Sequence, residues 1–154
     1  METKLAAEKK DWYVSRFPIF EASLNGTKAG DLHQTRVKAL ETFKALGFPS
    51  NRDEEWKYTS VTPLLKEDFK MGGSSDVKKD DIAPFIYEDF SDNILVFING
   101  RYSNELSNCS IQGNGLTVKN LEDSLHSNDD FLQKHLFRYA QYKEETFTAL
   151  NTAF

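Results

Sequence analysis

Ile94-Leu95-Val96-Phe97-Ile98-Asn99-Gly100-Arg101-Tyr102-Ser103 is the stretch on which the fold class turns. Its first five residues are apolar and mostly β-branched or aromatic, the composition that packs well on a pleated strand. Asn99-Gly100 then supplies the pair that most readily takes positive φ, so the chain is expected to turn back through Arg101-Tyr102-Ser103 as an antiparallel hairpin. Working outward, Met71-Gly72-Gly73-Ser74-Ser75-Asp76 is small and polar and reads as an exposed loop between a helical first half and a mixed second half. No domain boundary is expected there. Downstream, Leu116-Thr117-Val118 reads as a further short strand, and Asn120 is placed to open a helix over Leu121 to Leu125. Ser127 with Asp130 forms a capping-box pattern, followed by Phe131, Leu132, His135, Leu136 and Tyr139 at helical spacing.

Upstream the signals are helical. Leu5 to about Val14 is rich in helix formers, after which Phe17-Pro18 and Asn25-Gly26-Thr27-Lys28-Ala29-Gly30 interrupt the pattern. Asp31 can cap a helix over Leu32 to Leu46, whose Val37, Leu40 and Phe43 recur at steps of three, with Gly47 and Pro49 as stop signals. Ser50 with Asp53 predicts a capped short helix through Glu54-Glu55-Trp56, and Thr62-Pro63 another over Leu64-Leu65. The expected fold is α+β in a single domain over 1–154. It has a helical N-terminal half, a small antiparallel sheet with its hairpin near 94–103, and a helical C-terminal end.

Composition narrows the function. The 154 residues suffice for a hydrophobic core without disulfide or metal staples. Lys and Arg number 19 against 24 Asp and Glu, a formal net charge of −5, which argues against a surface made for phosphates or anionic lipid. Neither nucleic acid nor membrane is therefore an expected partner. Cys109 is the only cysteine, so there is no disulfide framework, and its thiol suits a reducing compartment, the cytoplasm. The opening residues lack a signal-peptide apolar core, and the longest apolar run, Ile94 to Ile98, is too short to span a bilayer.

The residues that could carry chemistry read as structural. His33, His126 and His135 are not spaced as ligands on one helix face, and Cys109 is the one thiolate available, so sequence-local zinc or cluster ligation is excluded. A lone cysteine between Asn108 and Ser110 is better read as a packed or surface residue than as a nucleophile. Gly72-Gly73-Ser74-Ser75 lacks the lysine and spacing of a phosphate-binding loop. Asp53-Glu54-Glu55, Asp80-Asp81 and Asp129-Asp130 each fall at an expected helix N-terminus, where favourable dipole contacts account for them. No catalytic, cofactor-binding or metal-binding residue is assigned. Aromatics make up 13% of the chain, and Phe17, Phe20, Phe43, Phe48, Trp56 and Phe69 lie among apolar neighbours, as core residues do; Trp56 and Tyr58 are expected at its edge.

Three stretches resemble one family, in matching order and spacing. Arg36 to Pro49, ending Leu46-Gly47-Phe48-Pro49, leads to Asp53-Glu54-Glu55-Trp56-Lys57-Tyr58-Thr59, which closely resembles the leucine-gly-phe-pro and glu-x-trp-lys-tyr-thr signature of SufD proteins. Val96 to Ser103, with Leu106-Ser107 after it, is similar to the family's hydrophobic strand and asn-gly turn, and Phe147 to Phe154 is similar to its lead into a central β-helix. The resemblance, weakest over residues 70–92, implies a non-catalytic N-terminal domain of a SufD-like subunit. Such a subunit belongs to the SufB, SufC and SufD scaffold complex for iron-sulfur cluster assembly, which the SufC ATPase drives. It further implies a piece that precedes the family's β-helix, with SufB and SufC contacted mainly by later parts of the protein, so that no family cluster-site residue maps onto this chain. The competing readings are a SufB-like paralogue, an interaction module unrelated to iron, and, least supported, an enzyme. Phe147, Leu150 and Phe154 lie at i, i+3 and i+7, an apolar stripe that must be covered by the β-helix, fold back, fray, or pair with another copy.

Overall fold

The computed structural model describes residues 3–24, 31–70, 72–73, 75–110, 115–126 and 130–154. The chain forms two compact units, one made of Met1–Phe69 with His135–Phe154, the other of Lys70–Lys134. Together they bear out an α+β class, with helices at both ends and short antiparallel strand pairs between.

In the first unit, helix α1 (Lys4–Ser23) begins at Thr3, whose Oγ1 accepts the Ala6 N–H at 3.2 Å. Contrary to expectation, α1 does not stop near Val14 but continues through Pro18. A proline inside a helix removes one main-chain hydrogen bond and crowds the carbonyl four residues back, here that of Val14. The aromatic residues around Pro18 hold the helix against that loss. Phe17 is buried, Phe20 lies 5.2 Å from the Phe154 ring, and the Arg36 guanidinium sits 5.4 Å over the Phe20 ring. Helix α2 (Asp31–Leu46) buries Arg36, Ala39, Leu40 and Phe43, while Val37 packs half-buried at the margin. It ends at Gly47, whose φ of +67° needs a residue without a Cβ and whose N–H bonds the Phe43 carbonyl at 2.9 Å.

Asp53 closes the next turn on Ser50, and a 3₁₀ turn follows at Glu54–Trp56. Helix α3 (Thr62–Lys66) has Pro63 in its first turn, where the missing N–H does no harm, and it buries Leu65. Thr62 lies inside this helix rather than capping it. The N-cap position falls on Val61, which has no capping side chain, and the Thr62 N–H donates to Ser60 Oγ at 3.3 Å in the turn before it. Lys9 pins the following segment to α1, its Nζ donating to the Glu67 carbonyl at 2.7 Å and to Asp68 Oδ1 at 2.8 Å. Phe69 is 44% exposed, not in the core, because it falls past the end of α3, where one edge lines a crevice with Lys9, Tyr13 and Leu64.

The second unit is held more by backbone pairing than by a core. After α4 (Lys79–Ile82), where Asp81 accepts the Lys78 N–H at 2.8 Å, two 3₁₀ turns lead to the strands. Strand β1 (Asn93–Ile94) pairs with β4 (Asn108–Cys109), and β2 (Phe97–Ile98) pairs with β3 (Arg101–Tyr102), both antiparallel. The hairpin is as expected: Asn99 and Gly100 take φ of +50° and +82°, and Ile98 faces Arg101. The run Ile94 to Ile98 is not one continuous strand, however. At Val96 it changes partner, the N–H going to Ser107 Oγ at 2.9 Å and the carbonyl accepting from Ser103 at 2.8 Å.

Leu116-Thr117-Val118 is not a strand either. The outer edge of β3 is satisfied instead by a side chain. Asn120 Oδ1 accepts the Tyr102 N–H and Asn120 Nδ2 donates to the Tyr102 carbonyl, both at 3.0 Å, so one amide stands in for a strand neighbour. The main chain of Asn120 meanwhile opens helix α5 (Leu121–His126), as expected. Helix α6 (Asp130–His135) follows; the Ser127 half of its expected capping box lies outside the described residues. It is shorter than the spacing predicts, because Phe137 takes a left-handed φ of +61° and leaves Leu136 and Tyr139 beyond the helix.

The chain then completes the first unit with helix α7 (Thr146–Ala153), which packs along α2. Ala39, Phe43, Ala149 and Ala153 are fully shielded from solvent. The apolar stripe of Phe147, Leu150 and Phe154 folds back on its own unit, all three residues lying against this core. Phe154 meets Tyr13, Phe17 and Phe20 at ring distances of 6.4, 5.9 and 5.2 Å. Among the described residues, no helix is long and apolar enough to cross a membrane.

Replacing the fully buried Phe43 with Ala should lower unfolding free energy by about 3 to 5 kcal/mol, whereas Phe85→Ala, at a 77% exposed site, should stay within about 0.5 kcal/mol; urea denaturation distinguishes the two. In the second unit, Asn120→Ala should speed amide exchange at Tyr102 about tenfold while leaving Gly47 exchange unchanged, the size expected for one lost hydrogen bond.

Candidate functional site

Where the C-terminus of α2 meets the N-terminus of α7, three local structures converge. The first is the left-handed Gly47 turn, whose carbonyl accepts a buried hydrogen bond from Thr146 Oγ1 at 2.8 Å and so ties the two helix ends together. Phe48, just after it, is buried between Tyr13, Phe43 and Phe147, with ring centroids 5.9, 5.3 and 6.1 Å away.

The second is the Ser50–Asp53 turn. Asp53 Oδ2 accepts from the Ser50 N–H at 2.6 Å and its hydroxyl at 3.1 Å, and Ser50 Oγ accepts the Arg52 N–H at 3.3 Å. The Ser50 N–H and hydroxyl hold the Asp53 carboxyl below the ordinary aspartate range. This turn starts the 3₁₀ segment that presents Glu54, Glu55 and Trp56. Trp56 is half-buried, its ring 5.2 Å from Phe147 and tilted by 46°.

The third is the start of α7. Glu145 Oε1 accepts the Phe147 N–H at 3.0 Å, and Oε2 accepts the Thr148 N–H, so one carboxylate covers two donors that the helix cannot satisfy itself. Burial pushes the Glu145 carboxyl up. The hydroxyl and N–H of Thr148 and the N–H of Phe147 outweigh it and hold the group below the usual glutamate value.

Between these elements lies an open groove of about 300 Å³, floored by Leu46, Phe48, Pro49 and Trp56 and rimmed by Asp53, Glu54, Glu55, Glu144 and Glu145. Every ionisable residue in its lining is acidic. The sequence identifies the Ser50–Asp53 turn and leaves Trp56 open between core and surface, and it does not reveal the groove, because its other wall comes from α7, far along the chain. Glu145 has a weak local signal, since glutamate is not among the favoured capping residues.

The other residues weighed in the sequence lie apart from this groove. His33 Nδ1 contacts Glu21 Oε1 at 2.6 Å, tying α2 to α1, and His135 stacks on Tyr139 with ring centroids 5.8 Å apart. Cys109 is a free, partly buried thiol opposite Asn93 in the β1–β4 pair, and His126 ends α5. Gly73 serves the hairpin, its carbonyl accepting from Asn99 Nδ2 at 2.9 Å. Asp80, Asp81 and Asp130 occupy first helical turns, as expected, and Asp129 is outside the described residues. Tyr58 is 91% exposed, with the Lys57 ammonium 5.5 Å from its ring centre. No group of three His, Cys, Asp or Glu among the described residues is placed to hold a metal ion.

Compared with known families, residues 7–154 match the one described as SufBD protein N-terminal region. Among curated proteins, an iron-sulfur cluster assembly SufBD family protein of Synechocystis is 29% identical over 133 residues, covering 86% of this chain and 29% of that protein. The chain thus spans under a third of the length of the relative it matches. No solved structure matches it.

The cap at α7 sets a pH dependence. A carboxylate whose folded pKa is lowered stabilises the fold fully above its unfolded pKa, and the stabilisation fades as pH falls through the folded value. Glu145→Ala should therefore cost about 1 kcal/mol at neutral pH, and its deficit relative to the unsubstituted chain should shrink in acid below the ordinary glutamate range; urea titrations across pH measure both.

Proposed function

Because the chain belongs to the SufBD family, whose N-terminal region it matches over residues 7–154, we propose that it serves iron-sulfur cluster assembly as the non-catalytic N-terminal domain of a SufD-like subunit, alongside SufB and SufC. The family match is the observation that carries this reading. The Synechocystis relative, whose own description is iron-sulfur cluster assembly, supports the same role. The SufD-like assignment rests on the Glu54-Glu55-Trp56-Lys57-Tyr58-Thr59 segment that follows Leu46-Gly47-Phe48-Pro49.

In physical terms those signature residues make structure. Gly47 stops α2, Phe48 fills the core, and Trp56 lies against Phe147 of α7. A domain whose most recognisable residues shape a surface and a core is suited to positioning partners, while chemistry and energy come from other parts of the assembly. SufB and SufC are the proposed partners in the complete subunit. A cytoplasmic setting, where Cys109 stays reduced, suits oxygen-sensitive clusters.

The test is to tag the endogenous gene product, purify it without air, and identify what comes with it. Recovery of SufB and SufC in stoichiometric amounts, with loss of iron-sulfur enzyme activity when the protein is depleted, is the expected result. Recovery of SufC with a separate SufD would reassign the protein as the SufB-like paralogue. Depletion that leaves iron-sulfur enzymes unaffected, with neither partner recovered, would make it an interaction module outside this pathway.

A further inference from the structure

The groove between the Trp56 turn and the start of α7 has two properties that do not follow from folding the first unit. The first is an open apolar floor. Leu46 is 45% exposed, and Trp56, half-buried with Phe147 beside it, lines the groove. At about 300 Å³ the space lies at the lower end of the range for ligand clefts, enough for one long side chain and parts of its neighbours.

The second is the charge of the rim. Asp53 and Glu145 are engaged in capping turns, but Glu54, Glu55 and Glu144 are exposed carboxylates on the same groove. The helix dipole expected from the sequence to account for Glu54 and Glu55 does not do so, because they begin a 3₁₀ turn of only three residues. An apolar aromatic floor inside a uniformly acidic rim is complementary to a side chain with a long apolar stem and a delocalised positive end.

We propose that this groove is a docking site for a basic segment of a partner protein, which inserts an arginine flanked by apolar residues over Trp56. Arginine fits better than lysine on three counts. Its planar guanidinium stacks on an indole, its weaker hydration lowers the penalty of leaving water, and its fork can engage two carboxylates at once. A bare metal ion fits less well, since the carboxylates do not converge in a group able to hold one. The inference is independent of the role in cluster assembly and would stand if that reading failed.

The test uses the 154-residue chain, labelled with ¹⁵N, and the capped tripeptide acetyl-Leu-Arg-Leu-amide. Saturable shifts of the Trp56 indole and Thr146 amide, with Kd of about 1 mM or tighter at low salt, are expected, while the Trp12 indole stays still. Glu54→Gln with Glu55→Gln, both at exposed sites, should weaken binding about five- to tenfold, as should raising salt to about 0.5 M. Trp56→Leu should abolish it, and its dispersed spectrum would show that the fold survives. The same peptide with citrulline in place of arginine keeps shape and loses charge. Equal binding of that peptide would make the site merely apolar and overturn the proposal, as would no saturable shift with the arginine peptide. Concentration-dependent self-association broken by Trp56→Leu would assign the groove to a second copy instead, and likewise overturn it.

Discussion

The contact between α2 and α7 is the constraint on which the first unit depends. Two helices can approach closely only where small side chains face each other, and Ala39, Ala149 and Ala153 are fully shielded from solvent. Phe43 fills the space beside them, and the buried Thr146 hydroxyl bonds the Gly47 carbonyl, so the end of one helix is joined to the start of the other. Once α7 is seated, Phe154 covers Phe17 and Phe20 and supports α1 on either side of Pro18, while Phe147 provides the surface that receives Phe48 and Trp56. The proline in α1 and the groove beside Trp56 both follow from this one helix pair.

The second unit uses a different physical solution. Tyr102 and Ser124 are its buried residues among those described, and Phe85, Tyr87, Phe90 and Phe97 lie open to solvent. With so little apolar surface removed from water, specificity comes from satisfying main-chain groups. Ser107 takes the Val96 N–H, Asn108 bonds the Ser91 carbonyl at 2.9 Å, and Asn120 completes the edge of Tyr102. Each is a short polar side chain whose reach is set by one or two torsions, so it can replace a missing strand neighbour with little loss of conformational freedom.

The two units also divide the functional reading. Two of the three stretches that resemble the SufD family, Arg36 to Thr59 and Phe147 to Phe154, lie in the first unit, where their residues contribute to its core and its acidic groove, while the third, Val96 to Ser103, forms the hairpin of the second unit. In that groove the carboxylates are structurally committed at Asp53 and Glu145 and exposed at Glu54, Glu55 and Glu144.

What the sequence determined by itself were features governed by neighbours along the chain. The Asn99-Gly100 turn, the end of α2 at Gly47 and the Ser50–Asp53 cap each depend on φ preference or on a bond spanning a few residues, and each is where the sequence puts it. Features governed by distant partners were decided only in three dimensions. Pro18 carries a local signal to stop a helix, which the aromatic contacts of Phe17 and Phe20 override. Leu116 to Val118 carries a local signal for a strand, but the edge it would pair with is already met by the Asn120 amide. The groove exists because Glu54, Glu55 and Trp56 are brought opposite Glu144 and Glu145 by the packing of α7 on α2. No pattern of spacing records that approach, since it depends on the volumes of alanine and phenylalanine side chains meeting in a core.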